Sequence, residues 1–293
     1  MLRTVYRTAE TTKISVSHDD RGISLLEGTI PLKIILATQD VPMYLASLLD
    51  DFLDMLSKSG HVAEGIVVSS PYTKNSVIRE IRYRYELYGL VDFLRMSFRV
   101  LKNRSLSFVF EVSHLVGCHS VGNVVKKYGI KTYYAESVNS KGVVKFVATS
   151  DIDLMISIAS PEVFRGKILK APQKGCINYH TALLPKYRGR QPLFWALLND
   201  EKEVGISIHE MDESIDSGAI IVQTKVSVSP EDSLHSLYLK TIEIGPRLLL
   251  EAIKKLEEEC DERIPNDSAQ ATYYSVPTRE DGRRFKQSGK RYF

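Results

Sequence analysis

Leu154-Met-Ile-Ser-Ile-Ala159 and Cys176-Ile-Asn-Tyr-His180 are short apolar runs of the kind that make strands buried on both faces. Lys33-Ile-Ile-Leu-Ala37, residues 62–69 and Lys131-Thr-Tyr-Tyr-Ala135 read the same way. Helical patterns fill most of the gaps, the clearest over residues 43–56. Strands that alternate with helices predict a mainly parallel sheet covered on both faces. Two more strands are expected at Gly205-Ile-Ser-Ile-His209 and Ala219-Ile-Ile-Val-Gln223.

The predicted fold class is therefore α/β: a doubly wound, Rossmann-like, mostly parallel sheet, followed by a small C-terminal helical and irregular extension. Ser229-Pro230-Glu231-Asp232 offers a capping serine, a proline at the first helical position and acids in the first turn, so a long helix is expected from there. Gly245-Pro246 is expected to kink or split it. Residues 1–30 read as a polar extension with a short strand near residues 13–16, residues 31–228 as the main domain, and residues 229–293 as a helix and tail. Within the main domain, an insert at about residues 72–104 carries eight Lys and Arg against three acids. Two readings of it stand: a solvated helical face that packs Tyr83, Leu87, Phe93 and Phe98 inward, or a patch for a phosphate-bearing substrate or RNA.

Composition narrows the classes. At 293 residues, 43% hydrophobic and 26% charged, the chain has the make-up of a folded globular protein, not a disordered one. Thirty-nine basic residues against thirty-six acidic give a net charge of +3, which suits a small anionic ligand without demanding nucleic acid. Cys118, Cys176 and Cys260 are too scattered for a disulfide framework or zinc cluster and read as reduced thiols of a cytoplasmic protein. No apolar run reaches bilayer length, and the first residues lack the apolar centre of a secretion signal. Glycine-rich nucleotide loops, H-E-x-x-H and C-x-x-C are all absent.

Chemistry concentrates in Cys176-Ile-Asn-Tyr-His-Thr-Ala-Leu-Leu-Pro-Lys-Tyr-Arg-Gly189. Asn178 and His180 are two apart at the end of a predicted strand, so they share a side, and the carboxyl ends of such strands are where ligands bind. An amide N–H can steady a developing oxyanion while an imidazole moves a proton. A third group to hold the imidazole is sought among the acids of Met211-Asp212-Glu213-Ser214-Ile215-Asp216-Ser217-Gly218; spacing alone does not choose between them. The plain alternative is that Asn178 and His180 are structural polar residues, that Asp216 is a turn residue and that Trp195 belongs to the core.

Asn178-x-His180, the loop Leu183-Leu-Pro-Lys-Tyr-Arg-Gly189, Gly205-Ile-Ser-Ile-His209 and Ile215-Asp216-Ser217-Gly218, in that order, resemble the signature of the folate-dependent formyltransferases. That family includes the glycinamide ribonucleotide, methionyl-tRNA and amino-sugar formyltransferases. The resemblance implies Asn178, His180 and Asp216 as catalytic trio and 10-formyltetrahydrofolate as co-substrate. It implies a primary amine as acceptor and no metal. It further implies a pterin pocket lined by Leu154, Ile156, Ser157, Ile158, Asp212 and Ile215.

Tyr187-Arg188-Gly189-Arg190-Gln191-Pro192-Leu193-Phe194-Trp195 looks most like the enzymes that formylate amino sugars on nucleotide carriers. This implies Tyr187, Arg188 and Trp195 as substrate-binding residues, with the diphosphate expected to meet basic residues between Arg79 and Arg104. Only 293 − 216 = 77 residues follow Asp216, whereas methionyl-tRNA enzymes carry an added barrel domain there, so tRNA is the less favoured acceptor. A methionyl-tRNA formyltransferase-like activity, hydrolysis of formyltetrahydrofolate and a non-catalytic binding module are the alternatives. No membrane partner is expected, and a homodimer is left open.

Overall fold

The computed structural model describes residues 31–39, 43–69, 74–113, 117–258 and 262–293. The expected N-terminal extension with its short strand, and Cys260, lie outside the described residues. The described residues form nine strands: β1 (Lys33–Thr38), β2 (Val62–Ser69), β3 (Lys131–Ala135), β4 (Leu154–Ile158), β5 (Cys176–His180), β6 (Arg188–Gly189), β7 (Glu203–Glu210), β8 (Ile220–Ser227) and β9 (Tyr273–Tyr274). Seven of them build one sheet in the order β3-β2-β1-β4-β5-β7-β8. The first five of that order run parallel; β7 pairs antiparallel with β5, and β8 antiparallel with β7.

Period-2 alternation sends neighbouring residues of β1 and β4 to opposite layers. Ile34, Leu36, Ile156 and Ile158 pack beneath α1 (Leu45–Lys58), α3 (Val121–Tyr128) and α6 (Leu234–Glu257). Ile35, Ala37 and Met155 face the other way, against Val143 and Val147 of α4 (Lys141–Thr149) and against Phe164 and Ile168. Helix α1 is recruited by Leu45, Leu48, Leu49, Phe52, Leu53 and Leu56, a buried stripe at three- and four-residue spacing. The sheet is thus covered on both faces, as the strand–helix alternation predicts. No helix of the described residues is long and apolar enough to cross a membrane.

Two expectations for the C-terminal part are corrected. Helix α6 starts at Leu234, not after Ser229, because a better cap stands four residues on. The Ser233 hydroxyl accepts from the Ser236 N–H at 3.1 Å and the Ser236 hydroxyl accepts from the Ser233 N–H at 2.9 Å, while Asp232 closes a turn on the Ser229 N–H at 2.8 Å. Gly245-Pro246 does not split the helix, which runs unbroken to Glu257. Gly245 is there for closeness: a side chain on it would meet the Tyr179 ring at 2.9 Å, and the Tyr179 hydroxyl donates to the Thr241 carbonyl at 2.8 Å.

The insert is longer than expected. Helix α2 (Lys74–Ser113) is two helical segments meeting at Gly89, whose φ of 68° and ψ of 172° break the helix. Leu87 is buried and Tyr83 and Phe93 are half-buried, as one reading held, but Phe98 points outward with 69% exposure. The remaining helices are α5 (Pro192–Leu198) and α7 (Arg279–Gln287).

Candidate active site

Asn178 and His180 stand two residues apart on β5, and antiparallel β7 sets His209 opposite Asn178 and Ser207 opposite His180. The turn joining β7 to β8 brings in Asp216. Its Oδ1 lies 3.4 Å from Asn178 Nδ2 and its Oδ2 lies 3.7 Å from His180 Nδ1. Three stretches far apart in the chain therefore meet at the end of the sheet. Among the described residues, no group of three or more His, Cys, Asp or Glu is arranged to hold a metal ion.

The hydrogen bonds fix which nitrogen does what. His180 Nε2 is 2.9 Å from the Tyr187 carbonyl, an acceptor, so Nε2 carries the proton and donates. Nδ1 is then a lone pair turned toward Asp216. His209 Nδ1 donates to the Glu210 carbonyl at 2.7 Å, which leaves its Nε2 to accept from Asn178 Nδ2 at 3.2 Å. The second N–H of that amide has only the long contact to Asp216.

Burial alone would raise the Asp216 carboxyl. The neighbouring His180 and His209 rings, when they are imidazolium, and the Gly189 N–H, which donates to Oδ2 at 2.8 Å, outweigh it and hold the group down at about 2. Burial lowers the His180 imidazole, with nearby His209 adding to the effect, against the pull of Asp216. The resting site is a carboxylate beside a neutral imidazole. Both shifts are downward, so protons bind the unfolded chain more tightly than the folded one, and stability must fall as the pH is lowered. The urea midpoint should drop first as pH falls through and below the ordinary imidazole range, and again below the ordinary carboxylate range toward about 2. A His180→Gln variant should show a smaller first drop, the share left being that of His119 and His235, and a smaller second drop, because Asp216 loses the pull of His180.

Backbone geometry aims Asp216. Its φ is 50°, in the left-handed region, and Asn266 holds the turn by donating to the Asp216 carbonyl at 3.0 Å and the Gly218 carbonyl at 2.8 Å. Gly218 admits no side chain, since a Cβ would sit 2.0 Å from the Glu210 carbonyl oxygen. Gly189 (φ 99°) is equally confined, 2.2 Å from the Tyr274 oxygen. That approach lets β6 pair with β9, so the tail braces the loop whose N–H reaches Asp216.

The other expected residues are placed as follows. Leu154, Ile156 and Ile158 are fully buried in the core layer under α1 and α6 and present no surface to a ligand here. Ser157 is also buried and sits beside Asn178 in register. Asp212 shapes the turn, accepting from the Ser214 N–H at 2.8 Å and the Ser217 hydroxyl at 2.6 Å. The Ile215 side chain is exposed next to Asp216.

Tyr187, Arg188 and Trp195 are brought together, but by the tail. Tyr187 stacks on Tyr274 and donates to Glu201 at 2.8 Å. Arg188, 4% exposed, spends its guanidinium on Asn266 and Ser268, and the Trp195 indole donates to the Ser275 carbonyl at 2.9 Å. A cleft lined by Thr181, Leu183, Lys186, Tyr187 and Glu201 borders this loop, yet none of the trio lines it. The clustered chemistry, not that hollow, locates the site.

His209 was not among the expected site residues. The signal for it was the alternation in Gly205-Ile-Ser-Ile-His209, which puts Ser207 and His209 on one face of a strand whose other face is apolar.

Fold and site together define an α/β domain with a carboxamide, an imidazole and a carboxylate at the strand ends. Residues 110–253, just under half of the chain, match the family described as "Formyl transferase", and relatives and fold neighbours alike support a folate-dependent formyltransferase. It is 37% identical over 161 residues to methionyl-tRNA formyltransferase of Kosmotoga olearia, covering 55% of this chain and 52% of that protein. The chain spans about half the length of the curated relatives it matches. Its fold is similar to a sugar N-formyltransferase from a Shewanella species (TM-score 0.53, 17% identity, 83% of this chain and 77% of that one). It is also similar to glycinamide ribonucleotide transformylase 1 of Symbiobacterium toebii (TM-score 0.54, 16% identity, 78% and 89%).

Proposed function

We propose that this protein transfers a formyl group from 10-formyltetrahydrofolate to a primary amine, and that the amine belongs to an amino-sugar nucleotide. The meeting of Asn178, His180 and Asp216 carries the first part. An amide donor, an imidazole lone pair and a carboxylate on one side of the sheet end are the set that acyl transfer to an amine requires. The folate donor supplies the activated formyl carbon.

Each residue then has a task. As the amine nitrogen bonds to the formyl carbon, Asn178 turns its loosely held N–H from Asp216 to the developing oxyanion, while its bond to His209 keeps the amide oriented. His180, neutral at rest, takes the amine proton at Nδ1. The resulting imidazolium is paired by Asp216 and adds its charge to the oxyanion's stabilisation. When the carbon–nitrogen bond to the folate breaks, His180 returns that proton to the departing nitrogen, giving a formamide and tetrahydrofolate. Burial favours a neutral His180 at rest, so the proton arrives with the substrate.

The acceptor reading rests on the Tyr187-to-Trp195 motif and gains support from the likeness to a sugar N-formyltransferase. A methionyl-tRNA acceptor is the second reading, favoured by the 37% identity to the Kosmotoga enzyme. With Arg188 enclosed, the exposed Arg190 of the same loop is the cation better placed to meet a nucleotide phosphate. A cytoplasmic setting, suggested by the few scattered cysteines, fits this reading. Purified protein with 10-formyltetrahydrofolate and a panel of nucleotide-linked amino sugars should form a formamide on one of them, and turnover of charged initiator tRNA alone would overturn the choice.

A further inference from the structure

The second segment of α2 is fixed to the body at both ends. Near its start Asp92 pairs with Lys286 at 3.2 Å, and Arg99 donates to His235 Nε2 at 2.8 Å while lying over the Phe293 ring. Toward its end the Ser107 hydroxyl meets Ser120 at 2.9 Å and Glu111 pairs with Lys126 at 2.8 Å. Met96 and Phe110 pack inward.

The opposite face is apolar and uncovered. Val91, Leu94, Phe98, Leu101, Phe108 and Val112 are 57–70% exposed. Their spacing, with Ser105 in the series, is three, four, three, four, three, four: an unbroken run of alternating a and d positions over three heptads. A helix apolar on both sides is ordinarily buried on both.

We infer that this seam is a dimer interface, docking against the same helix of a second copy of the chain in parallel, in-register pairing. A two-residues-in-seven stripe fits another helix, because a lipid surface would want a wider apolar face. Six side chains each about two-thirds exposed, joined by half-exposed Leu90, offer roughly 800 Å² per copy, which is what each partner of a standard interface contributes. Charge chooses the direction. Antiparallel pairing of these layers sets Arg95 beside Lys102 of the second copy, a like-charge contact made twice by symmetry, whereas parallel pairing sets Lys102 beside Ser97.

The test is sedimentation of the full chain from about 1 to 50 µM, with Phe98→Asp as the comparison and thermal unfolding as the check that this exposed site leaves the fold alone. The expected result is a wild-type dimer and a folded Phe98→Asp monomer, association being weakened about a hundredfold or more. Phe98→Cys should also oxidise to a disulfide-linked dimer, since position a faces its own copy only in the parallel arrangement. A wild-type monomer throughout overturns the inference, whether or not it binds anionic vesicles, as does a Phe98→Asp variant that still dimerises. Failure of Phe98→Cys to cross-link in a confirmed dimer overturns the parallel pairing. None of these readouts involves formyl transfer.

Discussion

Replacing Asp216 by Asn is expected to lower kcat for formyl transfer by about a thousandfold while leaving the fold and KM nearly unchanged. Asn accepts the left-handed backbone that Asp216 adopts at φ 50°, and its amide oxygen can still receive the Gly189 N–H at 2.8 Å. What it cannot do is carry charge. Without the carboxylate, the imidazolium that forms when His180 takes the amine proton stands buried with no counter-charge, and the transition state loses it at the moment of need. Steady-state kinetics with circular dichroism as the fold check would measure this, and a variant within about tenfold of wild type would show that Asp216 only shapes the turn.

The second large effect is expected at Asn178. Deleting an oxyanion donor costs about 10²–10³ in kcat, and Asn178→Ala removes the amide that makes the 3.2 Å bond to His209 and the 3.4 Å contact to Asp216. His209 enters through this residue. It lies 3.2 Å from Asn178 and 3.6 Å from Asp216 and does not touch the reacting atoms, so it is a positioning residue, and His209→Ala should cost about tenfold. In an Asn178→Ala background that loss should shrink to the part exerted through Asp216, because there is no amide left to orient. Two losses that simply multiply would mean His209 acts on the reaction by another route.

The sheet was legible in the sequence wherever a strand is buried on both faces, because such strands show as bare apolar runs. Residues 62–69 and Cys176–His180 were read to the residue, and Leu154–Ile158 to within one. The start of α6 was misplaced because two serine-led caps compete within five residues, and the reciprocal Ser233–Ser236 bonds make Ser233 the better one. Phe98 was assigned inward for a related reason. The segment carries two apolar stripes about 200° apart, and periodicity cannot say which one meets the body.

At the site, Asn178, His180 and Asp216 came from local motifs and do lie together. Arg188 and Trp195 came from the same motif, yet they are occupied by Asn266, Ser268 and Ser275. Those partners lie roughly 80 residues away in the chain, and no local pattern announces them. The three Leu and Ile side chains of β4 illustrate the limit from the other side. A strand next to the site supports it through backbone register, while its own alternate side chains fill the core.

The central claim is that the trio moves a formyl group to an amine instead of releasing it to water. Tetrahydrofolate formation from 10-formyltetrahydrofolate, followed with and without an acceptor amine, tests this most directly. The account predicts release that depends on the amine, matches the formamide formed one to one, and is lost in Asp216→Asn. Release at the same rate without any amine, with formate as the product, would contradict it.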